Sequence, residues 1–173
     1  MTDSARELSV TRHIEASTEQ VWHVMTERLT EWWCPKPWRT EIIEQDWRAG
    51  GRAAMVMKGP NGEEHAQEGV FLEVMPGRRF VTTDSFAAGW IPTKPFMVGG
   101  WEVEPEGAGT RYRAWARHWD EATMQSHADM GFVDGWKACA DQLAEIAGRI
   151  ASKSPLAIWG TILVAVMAVP TRP

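Results

Sequence analysis

The chain has five histidines and two cysteines, the side chains that most readily do chemistry near neutral pH. His118 is the leading acid–base candidate. It lies in TRYRAWARHW (110–119), whose alternation puts Tyr112, Ala114, Ala116 and His118 on one face. Arg111, Arg113, Trp115, Arg117 and Trp119 take the other. The arginines mark that second face as solvated, with Trp115 beneath their stems. Tyr112 and His118 are then expected inside, and the small Ala114 and Ala116 leave room between them. In RRFVTTDSF (78–86), Phe80, Thr82, Asp84 and Phe86 share a face, so Asp84 is a candidate partner for an inward histidine. Such a pair would supply general acid–base chemistry. A structural histidine, bonded to a backbone carbonyl or a carboxylate, is the stronger expectation.

Cys34 sits between Trp33 and Pro35 in LTEWWCPKPW (29–38). A reactive thiol needs a nearby cation or helix N-terminus, and Lys36 is expected in solvent. Cys139 falls on an apolar stripe and reads as core. His65 is expected on an exposed strand, and His127 near the mouth of any cavity. No HxH, HxxxH or CxxC spacing occurs, so no metal site is expected. Gly50-Gly51 and Gly99-Gly100 lack the phosphate-loop pattern and its following helix. They read as turns or bulges, and no cofactor is expected.

Residues 7–16 alternate as a strand, and 17–29 recur at helical spacing through Val21, Trp22, Val24, Met25 and Leu29. Ser17 with Gln20 forms a capping-box pattern. Strands follow over 39–47, 52–58, 64–75, 78–86, 96–104 and 110–119, joined by turns such as Asn61-Gly62. The last element, 120–150, is helical, with Phe132, Trp136, Cys139, Leu143, Ala147 and Ile150 on one stripe. Gly131 and Gly135 inside it imply either a close approach by another surface or a break into two helices. The expected fold class is α+β: a curved antiparallel sheet gripping a long C-terminal helix.

The 173 residues suit one domain. A net charge of −5 and the lack of a basic run argue against nucleic acid as a partner. The first ten residues have no apolar signal region, and a cytoplasmic location with free thiols is expected. Eleven tryptophans are many for this length and imply an interior that is either large or built around something flat and apolar.

Five motifs in order carry a resemblance: IEASTEQVWHVMTERLTEWWCP, DWRAGGR, the hairpin and strands of GPNGEE and GVFLEVMPGRRFVTT, EPEGAGTRYR, and GFVDGWKACADQL. Together they resemble the START-like helix-grip superfamily, also called SRPBCC, in its branch homologous to the activator of the heat-shock-protein ATPase. The resemblance covers about residues 6–150. It implies a seven-stranded sheet, two short helices near the N-terminus, and a ligand cavity between sheet and helix. A START-like domain over 1–150 is expected, with an apolar tail over 151–173 outside the family pattern. As a helix, the uncharged run in that tail would span about 24 Å. That is short of a bilayer core of about 30 Å, so packing on its own domain or on a second copy, as a homodimer, is expected.

The leading expectation is a binding protein for a small hydrophobic molecule, aromatic or lipid-like. Its expected cavity walls are Trp33, Met55, Met57, Phe71 and Phe80 from the first half, and Trp101, Tyr112, His118, Phe132 and Trp136 from the second. A cyclase- or hydrolase-type enzyme is the first alternative and requires His118 and Asp84 to converge. A module that stimulates a chaperone ATPase is the other.

Overall fold

The computed structural model describes residues 6–153. The element order is β1 (Glu7–Ile14), α1 (Thr18–Glu27), α2 (Leu29–Trp32), β2 (Arg39–Gln45), β3 (Arg52–Lys58), β4 (Glu64–Met75), β5 (Arg79–Thr83), β6 (Phe86–Ala87), β7 (Ile91–Pro92), β8 (Val98–Glu106), β9 (Gly109–Arg117), α3 (Glu121–Asp129) and α4 (Phe132–Ser152). Seven strands form one sheet in the order β1-β9-β8-β5-β4-β3-β2, and each neighbouring pair is antiparallel. β6 and β7 form a separate short hairpin. The two N-terminal helices carry the chain from β1 at one sheet edge to β2 at the other, and α4 lies over β1, α1 and α2. This is the expected α+β helix-grip fold.

Local signals account for most boundaries. Ser17 Oγ accepts from the Gln20 N–H and the Gln20 side chain accepts from the Ser17 N–H, closing the capping box of α1. Val21, Val24 and Met25 turn inward. The helical run expected over 17–29 breaks at Arg28, and a separate turn of helix, α2, buries Leu29 and Trp32. On β9, Tyr112, Ala114 and Ala116 are buried on the inner face as alternation predicts. Trp115 is also buried, on the outer face. There Gly100 makes room, since a Cβ on it would come within 2.2 Å of the Trp115 ring. The Arg117 guanidinium covers that ring at 4.2 Å.

The expected single helix over 120–150 is two. Asp120 caps α3 by accepting from the Thr123 N–H at 2.7 Å. Gly131 then takes φ +89°, a conformation costly for other residues, and α4 starts afresh. Gly135 lies within the first turn of α4, and a Cβ on it would meet Pro35 Cγ at 3.8 Å, an ordinary contact, so the close approach is not what calls for glycine here. α4 reaches Ser152, two residues past the expected domain end. The expected apolar tail otherwise lies outside the described residues, as does any question of its spanning a membrane. Among the described residues, no helix is long and apolar enough to cross a bilayer.

The core runs from α1 and α2 through the inner faces of β5, β8 and β9 to α4, where Phe132, Trp136, Cys139, Ala140, Leu143 and Ala147 are buried. At the open edge, β2 carries an irregularity between Ile42 and Glu44, and Ile42 and Ile43 are 43% and 56% exposed.

Candidate functional site

Where α4 crosses the sheet, β8 projects Trp101 inward. Gly99, two residues earlier on the same face, lets the indole lie back along the strand. A Cβ there would come within 2.9 Å of Trp101 Cη2. Trp101 stacks on Phe80 of β5 at 5.0 Å and 22°, and on Trp136 of α4 at 5.3 Å and 15°. Trp136 continues onto Phe132 at 4.4 Å. On the sheet side, Trp47 bridges Phe71 at 4.7 Å and Phe80 at 5.1 Å. An aromatic column thus links sheet and helix.

Trp33 closes this column from the side. It meets Trp32, Trp101 and Trp136 edge-on at 5.5, 5.5 and 5.4 Å. Trp32 is fully buried and its N–H donates to the Met25 carbonyl. Trp33 is half-buried and lines the surface groove beside α4. The indole N–H groups of Trp33 and Trp101 are buried, and neither meets an acceptor among the described residues. A buried unpaired donor costs about 1–3 kcal/mol, so these two N–H groups leave a hydrogen-bonding capacity unused inside an apolar column.

The expected wall residues separate into groups. Trp33, Phe71, Phe80, Trp101, Phe132 and Trp136 are joined in the column. Tyr112 is buried on its far side, edge-on to Trp32 at 6.3 Å, and burial holds its hydroxyl well above the usual phenol range. Met55 packs at the core margin. Met57 pairs across strands with Thr40 and His65, toward the open sheet edge, and is outside that core. Trp47 and His127 were not among the expected wall residues. Trp47 has the sequence signal of an aromatic placed just before a glycine turn. For His127, the Asp120 cap fixes the phase of α3 and so turns His127 inward.

His118 is buried but does not meet Asp84. Its Nδ1 lies 3.2 Å from the Arg6 carbonyl and its Nε2 lies 2.9 Å from His127 Nδ1. A carbonyl only accepts, so His118 Nδ1 donates to Arg6, and its Nε2 shares a hydrogen bond with His127 Nδ1. Phe96 lies against both rings, at 5.9 and 5.0 Å, and His127 also meets Phe132 and Trp136. Burial, with a smaller contribution from His118, pushes His127 down to about 4. His127 is therefore neutral at neutral pH. The expected Asp84–His118 pair is corrected: β5 ends at Thr83, and the Asp84 carboxylate turns to accept the Phe96 and Met97 N–H groups at 2.9 and 3.1 Å.

Both cysteines are free, buried thiols. Cys34 is buried with φ +73°, and burial raises its thiol despite an opposing hydrogen bond with Thr40. Cys139 is pushed up to about 12, by burial first and then by Cys34. His65 is exposed and stacks on Trp38 at 5.5 Å. Among the described residues no group of three metal-ligating side chains forms.

A seven-stranded antiparallel sheet with an inner aromatic column closed by a long C-terminal helix defines a START-like helix-grip protein. Within that class, the chain belongs to the family described as Activator of Hsp90 ATPase homolog 1-like protein, whose model matches residues 15–148. A crystal structure of a protein from Nitrosomonas europaea is 32% identical, with TM-score 0.81, over 87% of this chain and 99% of that one. A solution structure of an Arthrobacter aurescens protein shares the fold at 22% identity and TM-score 0.73, covering 84% of this chain and 88% of that one. The AHSA1 protein of Silicibacter pomeroyi does so at 20% and 0.60, covering 80% and 95%. No curated protein matches the sequence.

Proposed function

We propose that the protein binds a small, flat, hydrophobic molecule, aromatic or lipid-like, between the sheet and α4. The observation carrying this reading is the pair of unmatched indole N–H groups of Trp33 and Trp101 within the aromatic column. A ligand that slides beside Trp101 and displaces the half-buried Trp33 gains stacking area. If it also bears an acceptor oxygen, it satisfies a donor that is otherwise unpaired. His118 adds nothing to an enzyme reading, since Asp84 is engaged by backbone N–H groups. Two free, buried thiols fit a reducing cytoplasm.

The test uses the full chain and two ligands of one shape. Fluorenone, with a ketone acceptor, should quench tryptophan emission saturably and bind several-fold tighter than fluorene. Trp101→Phe should remove that preference. Absence of saturable binding by either, or a preference that survives Trp101→Phe, sinks the reading.

A second reading, stimulation of a chaperone ATPase, is supported by the family's description. Its test is the ATPase rate of the chaperone with and without the purified chain.

A further inference from the structure

A groove of about 590 Å³ runs along the flank of α4, outside the aromatic column. That volume is of the size a single small ligand occupies. One wall is the loop after α2, and the other is the face of α4 that carries Gln142, Ile146, Arg149, Ile150 and Lys153. The loop is fixed in place. Gln142 Nε2 donates to the Trp32 and Cys34 carbonyls at 2.8 Å each, and its Oε1 accepts from the Lys36 N–H at 3.0 Å.

The lining has two chemical characters. Trp33, Pro37, Trp38, Ile146 and Ile150 give it an apolar surface. Trp38 is held by stacking on His65. Five cationic side chains and two carboxylates also line it, beside Thr30, Cys34 and Gln142, in a chain whose net charge is −5. Both carboxylates are already taken, Glu31 by Arg28 and Glu145 by Arg149. Arg39 is loosely paired with Glu41 at 3.7 Å. No carboxylate lies within ion-pair distance of Lys36 or Lys153 among the described residues. The groove is therefore a cationic rim around an apolar floor in an acidic protein.

We propose that this groove binds an anionic amphiphile, a medium- or long-chain carboxylate. The carboxylate is held by the cationic rim, in which Lys36 and Lys153 have no carboxylate partner among the described residues, and the chain lies on Trp33, Pro37, Trp38, Ile146 and Ile150. The charge excess selects the head group, and the apolar lining supplies most of the attraction. The site is distinct from the column of the proposed function, sharing only Trp33 with it.

The experiment is isothermal titration calorimetry of the full chain with laurate, dodecanol and dodecyltrimethylammonium, each below its aggregation threshold. Laurate should bind saturably at one site, at least tenfold tighter than the cationic amphiphile, and more weakly as salt is raised. Octanoate should bind more weakly than laurate, by roughly tenfold for each pair of methylenes removed. The surface double variant Lys36→Gln/Lys153→Gln should weaken laurate at least fivefold, leave dodecanol unchanged and keep the melting temperature. Trp101→Phe, which alters the column and not the groove, should leave laurate affinity within twofold. Equal binding of the three head groups, no saturable binding, or no effect of the lysine changes would overturn the proposal. So would a loss on Trp101→Phe equal to that of the lysine variant, since the chain would then enter the interior. Loss of the fluorenone preference bears only on the column, so the two readings fail separately.

Discussion

His118 Nε2 and His127 Nδ1 share a hydrogen bond at 2.9 Å, which ties α3 to the end of β9. The folded value of about 4 for His127 lies below its ordinary 6.5. Above pH 6.5 both folded and unfolded chains are neutral at this site and the contact is fully expressed. As pH falls from 6.5 toward 4, the unfolded chain takes a proton that the folded chain refuses, and stability drops, by up to about 3 kcal/mol before solvent screening reduces it. His127→Gln keeps a donor for His118 and removes the titration. Thermal melts across this range should show a shallower decline for the variant, and identical slopes would rule the linkage out.

Gln142 spans three backbone groups of the loop after α2. Glutamate at this position keeps the size but cannot donate to the Trp32 and Cys34 carbonyls. Gln142→Glu should cost about 2–3 kcal/mol, read as a lower denaturant midpoint with an unchanged slope. A midpoint equal to that of the parent chain would show that the loop is held by other contacts.

Gly100 lies directly under the Trp115 ring. Gly100→Ala should destabilise by about 1–3 kcal/mol, because the added methyl meets a rigid indole already covered by Arg117. The cost should shrink sharply in a Trp115→Ala background, and strictly additive effects would show that the two do not touch.

Cys34 and Cys139 are buried thiols whose ionisation is shifted upward. At pH 8 the native protein should resist alkylation by iodoacetamide, while denaturant should expose both thiols to rapid labelling. Native labelling as fast as that of the unfolded chain would contradict this assignment.

Much of the fold was legible because regular elements follow simple periods. The two-residue period of β9 placed Tyr112, Ala114 and Ala116 inside, and Ser17 with Gln20 marked the start of α1. The same logic failed for Asp84 because periodicity holds only while the strand lasts, and β5 stops one residue earlier. Gly131 and Gly135 looked alike in sequence, and only the backbone angle singles out Gly131 as the helix break. The His118–His127 contact depends on how the turn after β9 swings α3 back, which no spacing rule encodes. The unmatched indole N–H groups were likewise invisible, because hydrogen-bond satisfaction belongs to the packed interior and not to residue types.

The irregularity on β2 has a consequence for how copies of the chain meet. A regular edge strand that exposed Ile42 and Ile43 would invite another chain to add itself to the sheet. Here the ladder is interrupted between Ile42 and Glu44, and Glu41 and Glu44, which flank the two isoleucines, are engaged by Lys58 and Arg52 of β3. An incoming strand would find no even row of hydrogen-bonding groups. The edge therefore carries a built-in resistance to aggregation, and the sheet can remain open without growing.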